Sequence, residues 1–279
     1  MNNVFSFSKI GTYKTCPYSY YLTYIQHVKR ENGVYGILGS YVHEMLESLE
    51  HGKMTNEEAV KKWKEQIDLM EFMDELKFPT EKSKHSYIED VTLYLKNFKP
   101  IDIGDKEFAV EEHFKIKISD FILQGYIDLY IIDNKKKEIQ IVDYKTSSKS
   151  GFTKSHLLEK CYQLILYSIA LEEKYPEYKI VNTSFDMIKY AKHKKTGKVK
   201  ERKDISSEDE LDYERYFISI PYNKENKQKF IEYLNANVNE IYDTLNNDKP
   251  WKPNKKNTFY CSNLCSVSKN CKFYKSLNK

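Results

Sequence analysis

Glu138-Ile139-Gln140-Ile141-Val142-Asp143-Tyr144-Lys145 carries the fold of this chain. Its β-branched, apolar character predicts a strand. The stretch before it, Phe121 to Asp133, reads the same way and contains Gly125-Tyr126-Ile127-Asp128. The lysine-rich turn Asp133-Asn134-Lys135-Lys136-Lys137 joins the two. Acids flanked by Ile127 and Leu129, or by Ile141 and Val142, are unusual at buried strand positions unless something holds them there. Adjacent strands can bring Asp128 and Asp143 to one sheet edge, where paired carboxylates suit a hard divalent cation such as Mg²⁺ or Mn²⁺. Asp143 and Lys145, two apart on a strand, share a face. A solvated Asp and Lys at a strand end is the plain alternative, and chemistry alone leaves the two readings balanced.

Working outward, Phe108 to Ile118 alternates from His113 onward as a strand does. Glu111 and Glu112 point to opposite sides of that strand, and Glu112 is the weakly held candidate for an additional carboxylate. A helix is predicted from about Ser155 to Lys174, a strand from Ile180 to Tyr190, a short strand at Phe217 to Ile220 and a long helix from Lys224 to Leu245. Before Pro100 the pattern is helical. Ser8 is a candidate cap for a first helix, and Pro17 suits the first turn of a second. Leu38, Val42, Met45, Leu46 and Leu49 form an apolar stripe ending at Gly52. Thr55 with Glu58 has the spacing of a capping box for a helix through Glu75, and another helix runs from Thr80 to Phe98. These elements predict an α/β layer fold, a central mixed sheet flanked by helices. The expectation is one domain, with a helical part over 1–100, a core over 101–220 and a C-terminal helix with a cysteine-rich tail over 221–279.

Composition narrows the classes. The 279 residues are 31% charged and 40% hydrophobic, with a net charge of +4. That reads as globular, long enough to bury a core. No apolar run approaches a membrane span and the N-terminus lacks a secretory layout, so a cytoplasmic protein without membrane partners is expected. The small net charge permits nucleic-acid binding through local clusters without demanding it. The 24 tyrosines are expected mostly to pack in or half-cover the core.

The motifs resemble the PD-(D/E)XK nuclease superfamily, and in detail its RecB-like exonuclease branch. Asp128 with Asp143-Tyr144-Lys145 is similar to the signature, with Ile127 at the place of its first proline. Gly39-Ser40-Tyr41-Val42-His43 resembles the branch's Gly-x-x-x-His, and Gln163-Leu164-Ile165-Leu166-Tyr167 its Gln-x-x-x-Tyr. The opening, from Phe7-Ser8-Lys9-Ile10 to Cys16-Pro17-Tyr18, is also similar. The resemblance implies a metal held by His43, Asp128, Asp143 and Tyr144, with Lys145, Asp143, Asp128, Gln163 and Tyr167 serving catalysis. It implies a Mg²⁺- or Mn²⁺-dependent DNA exonuclease acting on single-stranded ends, in recombination, repair, phage replication or CRISPR adaptation, with protein partners in such complexes. Rivals are a non-catalytic DNA-binding subunit and one active only with a partner. The absence of a Gly-x-x-x-x-Gly-Lys-[Ser/Thr] loop argues against a helicase motor in this chain.

Cys261, Cys265 and Cys271 cluster near the end of the chain. Thiols so spaced in a cytosolic protein suggest metal. A fourth ligand must be Cys16 or Cys161, and Cys16, before a proline at a helix start, is the more reachable. The pattern of one early and three late cysteines resembles AddB-type and CRISPR-associated nucleases. It implies a structural [4Fe-4S] cluster on Cys16, Cys261, Cys265 and Cys271, with Zn²⁺ the alternative. Finally, Lys192 to Lys203 is basic around a Thr-Gly turn. Lys194, Lys195 and Lys198 are candidates for nucleic-acid binding if it forms a hairpin, and a mobile solvated loop is the alternative.

Overall fold

The computed structural model describes residues 3–152 and 157–277. The chain forms two compact units, each assembled from separated segments.

The larger unit comprises Gly39–His113 and Tyr126–Lys227. Strand β3 (Phe121–Asp133) pairs antiparallel with β4 (Glu138–Lys145), and both have the predicted bounds. Their apolar content and the turn at Asp133, whose carboxylate accepts from the Lys136 N–H at 2.9 Å, account for that agreement. A parallel neighbour needs a crossover. Helix α6 (Leu157–Lys174) supplies it before β5 (Lys179–His193) pairs parallel with β4. The predicted helix start at Ser155 lies outside the described residues. β5 then pairs antiparallel with β6 (Val199–Glu201) and with β7 (Tyr213–Ser219). β7 begins before the predicted Phe217, because half-buried Tyr213 and Arg215 also pair with β5.

The result is a mixed sheet with helices on its faces. Asp143 has Phe185 as register partner on β5, whereas Tyr144 has Asp186. Side chains alternate, so Phe185 belongs to the face that meets α6 and Asp186 to the face that meets α5 (Glu81–Lys96). The core on both sides is Leu129, Ile139, Ile141, Leu164, Phe185 and Met187, all buried. Each such side chain stabilises by about 1.5–3 kcal/mol.

The capping box at Thr55 is present, with Glu58 answering the Thr55 N–H, and it starts α4 (Asn56–Phe72). Thr80 likewise caps α5. Helix α3 (Val34–Glu50) is followed by Gly52 in the left-handed region, φ 65°. β2 (Glu107–Ile118), which pairs with β3, starts earlier than the alternation from His113 suggests.

The smaller unit comprises Met1–Leu38, Phe114–Gly125 and Gln228–Lys279. In it β1 (Val4–Phe5) pairs parallel with Ile122 and Leu123. Helix α1 (Phe7–Thr15) is capped by Ser6, which accepts from the Lys9 N–H at 3.1 Å. Ser8 was expected there, but the first turn opens two residues earlier, directly after β1. Pro17 occupies the first turn of α2 (Pro17–Tyr20). Tyr13, Tyr20 and Trp251 form an aromatic cluster in which Tyr20 stacks on Trp251 at 5.8 Å. Leu234, Val238 and Ile241 of α7 (Lys224–Asn246) are buried in this unit. Among the described residues, no helix is long and apolar enough to cross a membrane.

Candidate active site

Asp128 and Asp143 share a face because Leu129 and Val142 are register partners and each acid flanks one of them. Asp143 is 0% and Asp128 7% exposed. Asp128 Oδ2 accepts a 2.8 Å hydrogen bond from the Tyr144 backbone N–H. Burial and the adjacent Asp143 charge push the Asp128 carboxyl up to about 7. Neither Asp143 oxygen accepts a well-aligned hydrogen bond, although Lys145 Nζ stands 2.5 Å from its Oδ2. We take the pair as an ion pair whose angle is poor for hydrogen bonding.

Lys145 Nζ also donates to Gln163 Oε1 at 2.9 Å, and Gln163 Nε2 donates to Tyr167 Oη at 2.6 Å. Gln163 and Tyr167, four apart on α6, therefore lie side by side beneath the lysine. Burial, then the charges of Asp143 and Asp128, raises the Tyr167 phenol well above its usual range.

His43, on α3, brings Nδ1 to 3.3 Å from Asp128 Oδ2 and 3.8 Å from Glu111 Oε1. Burial lowers its basicity, but Glu111 and the Asp128 charge outweigh that and raise its pKa above the ordinary value. One donor atom each from His43, Glu111 and Asp128 lie within 4.8 Å of one another. Two carboxylates and an imidazole form a donor set that fits a hard divalent cation with some nitrogen affinity. Asp143 stands next to this trio, paired with Lys145 instead. The Tyr144 phenol donates to Glu50 on the other face of the sheet, so the ligand atom Tyr144 would offer is its backbone carbonyl.

Glu111 corrects the sequence reading. Glu112 was the weakly favoured carboxylate, yet its oxygens accept from Lys174 Nζ and, at 2.6 Å, from Tyr130 Oη. The reason is backbone conformation: Glu111 has φ 51°, a left-handed residue of the kind found at β-bulges. It breaks the alternation on which the assignment rested. Phe108-Ala109-Val110-Glu111-Glu112 does not alternate apolar and polar residues as His113 to Ile118 does, and this irregularity is the signal available in sequence. Tyr126, 56% exposed, lines the same open cleft with Gly39, Ser40 and Glu47.

In the smaller unit Cys16, Cys261, Cys265 and Cys271 line one small cavity beside Ser19 and Tyr260. Cys16 Sγ accepts from the Asn254 N–H at 3.4 Å, and Ser19 Oγ lies 3.6 Å from Cys265 Sγ. Burial pushes the Cys261 thiol up, and Cys265, Cys16 and Cys271 add to the shift. Cys161 is buried in α6, within the larger unit. Among the described residues no three of these sulfurs lie within 4.8 Å of one another.

Lys192 to Lys203 does form a hairpin: Lys192 pairs with Val199 and Tyr190 with Glu201. Gly197 at φ 69° turns it. Lys194 Nζ donates to the Leu211 carbonyl at 2.6 Å, while Lys195 and Lys198 project into solvent.

A family model described as the PD-(D/E)XK nuclease superfamily matches residues 4–272. No curated protein matches the chain. Solved structures that resemble it include one of a "Putative exonuclease" from Eubacterium rectale. It is 12% identical with a TM-score of 0.50, covering 97% of this chain and 86% of that one. At that identity the likeness concerns the fold alone.

Proposed function

The chain belongs to the PD-(D/E)XK nuclease superfamily, and from that premise we propose that it is a metal-dependent deoxyribonuclease that removes nucleotides from single-stranded DNA ends. The observation that carries this reading is the convergence of His43, Glu111 and Asp128 donor atoms beside the buried Asp143–Lys145 pair. His43, Asp128, Asp143 and the Tyr144 carbonyl, joined by Glu111, would hold Mg²⁺ or Mn²⁺. Bound there, the ion supplies Lewis acidity toward a phosphoryl oxygen and makes water a better nucleophile at neutral pH.

The rest falls to the protein's own groups. Lys145 places a positive charge where the phosphate becomes more negative in the transition state. Gln163 holds that ammonium by its carbonyl oxygen and is itself held by Tyr167, so the lysine is oriented before substrate arrives. Asp128 is kept in place by the Tyr144 N–H. Lys194, Lys195 and Lys198 of the hairpin are proposed to contact phosphates.

The four cysteines are proposed to carry a structural [4Fe-4S] cluster. The convergence of Cys16 and the three late cysteines on one cavity supports this. We further propose that the chain works as one nuclease domain in a recombination, repair or CRISPR setting.

The test is digestion of end-labelled single- and double-stranded DNA with Mn²⁺, comparing wild type with Asp143→Ala. The expected result is cleavage by wild type, faster on single strands, and none by the variant. If neither protein cuts while both bind DNA, the nuclease reading gives way to a binding subunit.

A further inference from the structure

A second cleft lies in the larger unit, between the C-terminal part of α5, the β5–β6 hairpin and β7. Beneath it is a buried charge network on the face of the sheet turned away from Asp143 and Lys145. Asp186, fully buried, accepts from Tyr94 Oη at 2.6 Å and from Arg215 Nε at 2.5 Å. The Arg202 guanidinium lies 4.8 Å over the Tyr94 ring, and its Nε donates to the Ile188 carbonyl at 2.7 Å. Asp90, the other fully buried acid nearby, is occupied by Ser86 Oγ at 3.1 Å and the Lys203 N–H at 2.9 Å.

Arg215 thus pairs with Asp186, and Arg202 forms no ion pair within 4.0 Å among the described residues. Its Nη2 is buried with no hydrogen-bond partner.

The walls have the same character. Seven Lys and Arg side chains line the cleft against three Glu. Two of those acids are already engaged, Glu214 with Lys192 at 3.4 Å and Glu210 with Asn97. Lys96 and Lys99 are exposed on the α5 side, and Phe217, 38% exposed, presents its ring from β7. Cations from three elements interleaved with aromatic rings match a phosphate backbone carrying unpaired bases, since phosphates take the lysines and bases stack on rings. A lone phosphate would leave the rings unused.

We propose that this cleft binds a single-stranded segment of nucleic acid, as a holding site separate from the candidate metal centre. The inference rests on the nuclease reading only for the choice of nucleic acid as the polymer.

The test uses the full chain in EDTA, so that nothing is cut, with a fluorescently labelled single-stranded oligonucleotide read by anisotropy across a salt series. Lys96→Gln/Lys99→Gln and Phe217→Ala are compared with wild type. The exposed lysines carry the test because Arg202 belongs to the folded network. Loss of two phosphate contacts should weaken binding about three- to tenfold and lower the log–log salt slope by about 1.4. Phe217→Ala should weaken single-strand binding about fivefold or more and leave duplex binding unchanged. An unchanged slope in the lysine variant overturns the proposal. So does a wild type that binds inorganic phosphate or a mononucleotide but no oligonucleotide. Failure of the nuclease reading would appear elsewhere, as Asp143→Ala digesting DNA like wild type, with these affinities unaffected.

Discussion

Lys145 Nζ and Gln163 Oε1 are joined by a 2.9 Å hydrogen bond that links β4 to α6. The amide accepts from the lysine and donates to Tyr167, so neither end of Gln163 is free to turn. The ammonium is thereby held between the amide and Asp143.

Gln163→Ala should therefore lower kcat by about 10- to 100-fold, the usual cost of losing an orienting partner, with little change in KM. Tyr167→Phe removes only the outer link and should cost less. Steady-state cleavage of labelled single strands measures both. A Gln163→Ala enzyme with wild-type kcat would show that Lys145 needs no such support.

Glu111 and Glu112 separate cleanly. Glu111→Gln should weaken Mn²⁺ binding at least about tenfold, because its carboxylate lies with His43 and Asp128. Glu112→Gln should leave it intact, because that carboxylate is committed to Lys174 and Tyr130. Calorimetric titration with Mn²⁺ decides. Equal losses in the two variants would rule out Glu111 as a ligand.

Metal binding should depend on pH. The Asp128 carboxyl is raised from 3.8 to about 7 in the folded, metal-free protein, chiefly by burial. A carboxyl whose folded value exceeds its unfolded one stabilises below the unfolded value, and that contribution is lost as pH rises through the folded value. His43, also raised, gives the same sign. The metal-free protein should thus lose stability between about pH 4 and 7, and a cation must displace protons to bind. The gain in Tm on adding Mn²⁺ should be larger at pH 8 than at pH 6. An equal gain at both would contradict this.

Cys265→Ala should melt well below wild type, by about 5 °C or more at roughly 2–4 °C per kcal/mol for a chain of this size. It should also lose bound iron. Asp143→Ala should melt closer to wild type, because the Lys145 ammonium it leaves is partly exposed and still bonded to Gln163. Differential scanning calorimetry with metal analysis distinguishes them. Coincident melting of all three proteins would remove the staple.

Much of the sheet was legible in the sequence because local signals suffice there. Apolar runs and a lysine-rich turn bound β3 and β4, and alternation alone places Asp143 and Lys145 on one face. Gln163 and Tyr167 share a helix face by spacing. Where a single residue leaves the regular backbone, the inference fails. Glu111 in the left-handed region brings its carboxylate to the site, where alternation alone leaves open which of Glu111 and Glu112 faces inward. Partners distant in sequence were also hidden. Tyr94, Asp186 and Arg215 meet through register and helix packing, and no local pattern announces a buried acid shared by a tyrosine and an arginine.

The interleaving of the two units has a consequence for synthesis. Chains emerge from the ribosome N-terminus first. The larger unit is complete in sequence at Lys227, so its strands and crossover helix can assemble while translation continues. The smaller unit needs Gln228–Lys279 to close over α1 and the first residues of β3. Cys16 emerges early and waits for Cys261, Cys265 and Cys271, all of which follow Lys227. The sheet bearing Asp128 and Asp143 can therefore form on the ribosome before the cysteine cavity exists, so the two sites mature one after the other.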